Sequence, residues 1–187
     1  METKNVFAPF PTIRTSRLTL REMTLDDAGA FFRERADPEV MKYVGADRDT
    51  SIEDALARIA VVREGVRAGT SIRWTIADPE SGAFMGSGGF WRWDKRHFRA
   101  EIGYDLLPEH WGKGLMTEAL GAIIQFGFEV MNLHSIEANI DPRNKASRGV
   151  LERLGFQQEG FFRESFYYAG QFFDTAVFAL LRAPPAH

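Results

Sequence analysis

Cysteine is absent from this chain of 187 residues. Disulfides, zinc–thiolate centres, dithiol redox pairs and a cysteine nucleophile are therefore excluded together, and a reducing compartment suits such a chain. Histidine is scarce. His97, His110, His134 and His187 show no metal-ligand spacing, so no metal is expected. No apolar run is long enough for a bilayer: the most hydrophobic stretch, Ala122 to Leu133, is short and carries Gln125 and Glu129. The opening METKNVFAPFPTI is polar and proline-broken, without the apolar core of a secretory signal. The expectation is a cytoplasmic chain with no membrane partner. Neither sign of charge dominates. Lys and Arg number 23 against 26 Asp and Glu, a net charge of −3, which does not suit a general nucleic-acid binder. Aromatics are plentiful, with 16 Phe, 4 Trp and 4 Tyr, and most belong in a core. At 44% hydrophobic and 26% charged, residues 1–187 read as a single domain. Residues 1–13 and 182–187 are expected as tails.

Periodicity alternates between helix and strand. Arg17 to Arg21 alternates as a half-buried strand, and Thr24 to Ala36 reads as a helix with Asp26 and Asp27 in its first turn. Ser51 to Ala68 is a helix opened by the Ser51–Asp54 pair and closed by Gly69. Three strand-like runs follow, Ser71–Ala77, Phe84–Trp93 and Arg99–Leu107, joined by short turns as in a meander. A helix spans Leu115 to about Met131. His134–Ile140 is a strand, and Asn144–Leu154 a short helix with Ala146, Val150 and Leu154 expected inward. Two aromatic strands, Phe156–Phe166 and Gln171–Leu181, close the chain. The fold class is mixed α/β: about seven mostly antiparallel strands in one twisted sheet flanked by about four helices.

Several chemical signatures fail. The glycines at 112–114 and 86–89 lack the third glycine of a dinucleotide fingerprint, and Gly112-Lys113 is not followed by Ser or Thr as a nucleotide P-loop requires. Ser87 is no hydrolase elbow, because Met85 stands where glycine is needed. What remains is Glu101 to Ala119, a strand running into a two-glycine loop that opens a helix. Free amides at a helix start bind anions, and glycine lets a phosphate approach the backbone. Residues 112–117 fit a pyrophosphate cradle, although such loops also occur as plain turns.

The order of these blocks resembles the GNAT acetyltransferase superfamily, most closely the branch that acetylates N-termini of ribosomal proteins. Thr15-Ser-Arg-Leu-Thr-Leu-Arg21, Glu101-Ile-Gly-Tyr104, Trp111-Gly-Lys-Gly-Leu-Met-Thr-Glu-Ala119, and Asn144 and Ser147 before Leu154-Gly-Phe156 carry the likeness. It implies acetyl-CoA as cosubstrate. The implied pyrophosphate site is the amides of Gly112, Lys113, Gly114, Met116 and Thr117, with Trp111 and Leu115 also implied as cofactor-binding. The implied pantetheine path runs along Tyr104, Asp105, Leu106 and Leu107, with Asn139, Asn144 and Ser147 beside it. Three positions depart from the wider superfamily: Trp111 stands where Gln or Arg is usual, although Trp is usual in this branch, Met116 stands where a small residue is favoured, and Leu151 stands where many members carry a tyrosine as general acid. Ser147 then becomes the group facing the leaving sulfur.

A thioester can pass its acetyl group directly to an amine, provided the ammonium loses its proton. Glu101, at the start of the strand beside the implied thioester, fits a general base, and equally an ion-paired strand carboxylate. Trp91 and Trp93, with Glu101, are the expected acceptor-binding residues. The acceptor itself stays open between a protein N-terminus and a small amine such as a polyamine, amino acid or antibiotic. A non-catalytic CoA-binding module is the alternative of a different class. The aromatic C-terminal strands fit a homodimer contact or packing within one subunit.

Overall fold

The computed structural model describes residues 5–183. One sheet contains β1 (Ile13–Arg14), β2 (Thr19–Glu22), β3 (Ile72–Ala77), β4 (Phe84–Asp94), β5 (Arg99–Leu106), β6 (Ser135–Ile140), β7 (Gln157–Tyr168) and β8 (Gln171–Leu181). Its spatial order is β1-β2-β3-β4-β5-β6-β8-β7. Only β5 and β6 pair in parallel; the remaining neighbours are antiparallel. The helices are α1 (Ala28–Ala36), α2 (Pro38–Met41), α3 (Ile52–Ala68), α4 (Leu115–Glu129) and α5 (Lys145–Arg153). The mixed α/β sheet expected from the sequence is present, with one more strand and one more helix. Both additions, two-residue β1 and one-turn α2, are too short to show a period.

Local chemistry sets the boundaries. Ser51 and Asp54 form a reciprocal cap at the start of α3, and Gly69, at φ 65°, ends it in the left-handed conformation. One face of the sheet is covered by α4, whose Leu120 and Ile123 meet Trp74, Phe90, Ile102 and Ile136. The other face carries α1 and α3, where Phe31, Ile59 and Phe84 form a smaller core. Each fully buried aliphatic or aromatic side chain contributes roughly 1.5–3 kcal/mol relative to exposure. Among the described residues no helix is long and apolar enough to cross a membrane.

Two expectations need correction. Residues 5–13 are packed rather than a tail. Phe7 is buried with its ring 5.6 Å from Trp93, the Asn5 amide donates to the Val66 carbonyl at the end of α3, and the Trp74 indole donates to the Pro11 carbonyl. Residues 1–4 and 184–187 lie outside the described chain, so the expected C-terminal tail is seen only at Arg182 and Ala183. In α5, Ala146 is exposed, and the inward face is Val150, Leu151 and Leu154. That rotation carries Ser147, one turn before Leu151, toward the sheet.

The sheet is forked. β5 pairs with β6 only over Arg99–Glu101 and Ser135–Glu137, and beyond Glu101 the two strands part. Along β5 the even positions Ala100, Ile102 and Leu106 join the α4-side core, with Tyr104 packed against it. Glu101, Gly103 and Asp105 therefore alternate onto the opposite face.

Candidate active site

The loop between β5 and α4 turns on Gly112 and Gly114, at φ 72° and 73°, a region where only glycine is free of Cβ strain. A Cβ built at Gly112 would meet nothing within 4 Å, so the loop is open on that side. Among the described residues, no backbone amide from 112 to 117 finds a backbone acceptor. The first bond into the helix runs from the Glu118 amide to the Gly114 carbonyl at 3.2 Å. Free N–H groups thus collect at the positive end of α4. Leu115 and Met116 bury their side chains in the core, so only their amides face the loop, and Met116 does not obstruct the cradle. The Trp111 indole donates to the Leu106 carbonyl at 2.8 Å, and the Lys113 ammonium donates to the Glu109 carbonyl at 2.8 Å. Both side chains fasten the loop to its own approach. The loop fits a pyrophosphate, with the amides of residues 112–117 as the groups that would hold it.

This loop is clasped from the start of the chain. Glu118 accepts hydrogen bonds from the Thr15 hydroxyl at 2.6 Å, the Ser16 hydroxyl at 2.9 Å, and the Arg17 amide and guanidinium at 2.9 and 2.6 Å. Arg17 also donates to the Lys113 carbonyl at 2.9 Å. Burial pushes the Glu118 carboxyl up, but the donors from Thr15, Arg17 and Ser16 outweigh it and hold it down at about 2. A carboxyl depressed in the folded state adds stability above its ordinary value near 4.5, and loses it as pH falls toward 2. Glu118→Gln is expected to cost roughly 1–3 kcal/mol at pH 7, the worth of hydrogen bonds to a charged acceptor. The gap from wild type should close as pH falls from 4.5. Thermal melts across that range check it, and a gap that is constant with pH rejects this account.

At the fork, Glu101 stands opposite Trp91 on β4 and Glu137 on β6. Its side chain is 8% exposed and accepts from Arg92 at 2.9 Å, while Arg92 itself is 77% exposed. Arg92 sits at φ 44° inside a bulge between Trp91 and Asp94. The bulge breaks the strand's alternation. Trp91 stays beside Gly103, 3.6 Å from where its Cβ would stand. Trp93 instead packs against Phe7 with the Lys95 ammonium over its ring. Of the two tryptophans expected to bind the acceptor, Trp91 stands beside Glu101 and Gly103 and Trp93 does not. Glu137 is paired with Arg99 and accepts from the Asn139 amide at 2.7 Å. Asn139, expected on the pantetheine path, gives that donor to a neighbouring carboxylate.

Asp105 is also turned away from that path, accepting from Arg73 at 2.7 Å, with Arg73 donating further to Ser87. Fully buried Glu34 lies near this pair. Burial, helped by Asp105 and opposed by Arg73 and Arg35, raises its carboxyl well above the usual range. Leu107 is buried in the smaller core. The strand's outer backbone, rather than these side chains, is what it can offer a ligand.

On the α4 side of the fork, the Tyr104 hydroxyl lies 2.7 Å from Ser147 Oγ. Asn144 caps α5, its side-chain oxygen accepting from the Ser147 amide at 3.0 Å. Asn144 therefore acts through the position of Ser147. The sequence reading missed the Arg92–Glu101 pair, the Arg73–Asp105 pair and the Tyr104–Ser147 contact. Alternation along β5 carried part of the signal: Arg99, Glu101 and Asp105 share one parity of the strand, with Gly103 between them. The partners were illegible because each lies on another element.

Residues 17–157 match the sequence profile of the acetyltransferase (GNAT) domain. The uncharacterized N-acetyltransferase p20 of Bacillus licheniformis is 39% identical over 171 residues, 91% of this chain and 96% of that protein. The ribosomal protein uS5-alanine N-acetyltransferase of Escherichia coli is 34% identical over 125 residues, 66% of this chain and 64% of that one. Among solved structures, Mycobacterium smegmatis RimJ in complex with CoA-disulfide superposes with a TM-score of 0.79 at 26% identity, covering 88% of this chain and 81% of that one.

Proposed function

Since the chain belongs to the GNAT acetyltransferase family, whose members draw on acetyl-CoA, we propose that it transfers the acetyl group to a primary amine, and that this amine is a polypeptide N-terminus. The observation that carries the reading is the nearly buried carboxylate of Glu101 at the point where β5 and β6 part, on the strand that leads into the open amides at the start of α4. Acetyl-CoA supplies an activated acyl group that an amine attacks directly, the N–C bond forming as the C–S bond breaks with its electron pair on sulfur. Glu101, directly or through a water, takes the ammonium proton that blocks attack. Arg92 donates to that carboxylate from the surface, where such a pair is worth little and is readily displaced. Trp91 walls the acceptor side at Gly103. Ser147 faces the departing sulfur.

The match to a ribosomal-protein alanine acetyltransferase supports the N-terminal acceptor. A panel of N-terminal peptides, polyamines, amino acids and aminoglycosides, with CoA release as the readout, tests it. Peptide N-termini are expected to give the highest kcat/KM. A polyamine or amino acid that exceeds every peptide by tenfold makes this a small-molecule enzyme. No turnover with any amine leaves a CoA-binding module.

A further inference from the structure

Tyr104 and Ser147 come from different elements, β5 and α5, and meet at 2.7 Å between hydroxyl oxygens. The tyrosine ring packs against the α4-side core. The serine is fixed by its own amide on the Asn144 cap and by fully buried Leu151 one turn later. Neither end of the contact is therefore free to wander. The Ser147 carbonyl, which can only accept, also lies 3.4 Å from the phenol oxygen. Both oxygens within reach of the phenol proton thus belong to residue 147, and in the 2.7 Å contact either hydroxyl can donate.

We propose that Tyr104 is a positioning residue for acetyl transfer: its phenol donates to Ser147 Oγ and thereby turns the serine's own proton toward the departing sulfur. The proposal rests on the reading of Ser147 as the group that faces that sulfur. A serine hydroxyl has one proton and two acceptor sites. Left alone, it satisfies itself on a carbonyl of its own helix. With the phenol filling one lone pair, the serine proton is available as a fixed donor, and a donor aimed where charge develops is worth more in the transition state than in the ground state.

The proton accounting makes the tyrosine a positioner rather than an acid. Burial, partly offset by the bond to Ser147 and helped by the charge of Asp105, raises its phenol to about 12. A thiol ordinarily titrates near ~8.5, so the departing sulfur cannot strip that proton. Through the step Tyr104 and Ser147 both keep their protons. The electron pair of the broken C–S bond goes to sulfur, which Ser147 stabilises by hydrogen bonding and which solvent protonates on release. The acceptor loses two protons: the first, which frees the ammonium for attack, goes to Glu101 or its water and on to solvent, and the second leaves the acylated nitrogen by the same route as the C–S bond breaks. Leu151 stands at the position where a tyrosine serves many members of the superfamily, and Tyr104 brings a phenol to the same helix from the strand side.

Tyr104→Phe tests this in the full-length enzyme. It is expected to lower kcat about tenfold while KM for acetyl-CoA, the calorimetric Kd for CoA and the melting temperature stay close to wild type. In a Ser147→Ala background the same change should cost nothing further, because the phenol acts only through the serine. Ser147→Thr, which keeps a hydroxyl, should preserve the tenfold cost. A Tyr104→Phe enzyme with wild-type kcat, losses that multiply in the double variant, or a loss confined to CoA affinity each overturn the proposal. A variant that melts far below wild type assigns Tyr104 a structural role and overturns it too. Wild-type turnover in Ser147→Ala sinks the reading of Ser147 itself; impaired Ser147→Ala with unimpaired Tyr104→Phe sinks only the role of the tyrosine.

Discussion

Glu101→Gln is expected to lower kcat/KM at neutral pH by about 10²–10³, the ordinary contribution of a general base. The glutamine keeps the shape and can still accept from Arg92, so the change removes the base and little else. Because Arg92 is largely exposed, its loss of a charged partner costs little. The defect should shrink as pH rises, since an α-amino acceptor with a pKa near ~8 arrives increasingly neutral and needs no base to free it for attack. The measurement is the ratio of wild-type to variant kcat/KM from pH 6.5 to 9.5 with one fixed peptide, after confirming equal melting temperatures. A ratio near one at every pH removes Glu101 from the chemistry and returns it to an ion-paired strand residue. Glu137, its partner across the fork, is not an equivalent substitute: burial raises its carboxyl, but the hydrogen bonds from Arg99 and Asn139 prevail and hold it low. A carboxylate so engaged is a poor proton acceptor.

Gly114→Glu should abolish the stabilisation of the fold by CoA. In the wild type, ligand at 100 times its Kd adds about 2.7 kcal/mol to stability by linkage. Two effects act together in the variant. A side chain at φ 73° is strained by about 1 kcal/mol or more, and its carboxylate would occupy the anion position. The Cβ would lie 3.7 Å from a guanidinium nitrogen of Arg17, so the new carboxylate finds a cation in place and holds the loop against an incoming phosphate. Gly114→Ala, which brings strain without charge, should keep part of the shift. Thermal scans with and without CoA decide. A full shift in Gly114→Glu moves the phosphate site away from this loop, and no shift in the wild type removes the donor site altogether.

The fold was largely legible because its elements carry strong periods and hard stops. The Ser51–Asp54 cap with Gly69 bracketed α3, and the two aromatic runs became β7 and β8 with β8 ending at Leu181. The turn at 112–114 was legible because two glycines before an apolar-periodic helix mark the left-handed conformations found there, at φ 72° and 73°. What was not legible depended on contacts between distant segments. Trp91 and Trp93 share a parity in sequence, and only the bulge at Arg92 separates their fates. Phe7 looked like part of a tail because proline and polar residues surround it, yet the site that buries it, beside Trp93 and Phe126, exists only after β4 and α4 assemble. Ala146 was expected inward, because a nine-residue helix gives too few turns to fix the phase of its apolar face.

The clasp between the first strands and the glycine loop binds two stretches of sequence into one inheritance. Glu118 and Arg17 stand 101 positions apart, yet each satisfies the other, and Thr15 and Ser16 serve the same carboxylate. Drift at position 118 leaves four donors on three residues without that acceptor, and drift at position 17 leaves a carboxylate without its cation and the Lys113 carbonyl without its donor. Neither stretch can change alone at small cost. Descendants of this chain can recombine or reshape the helices between them, but the opening residues and the loop must travel together, changed in concert or not at all.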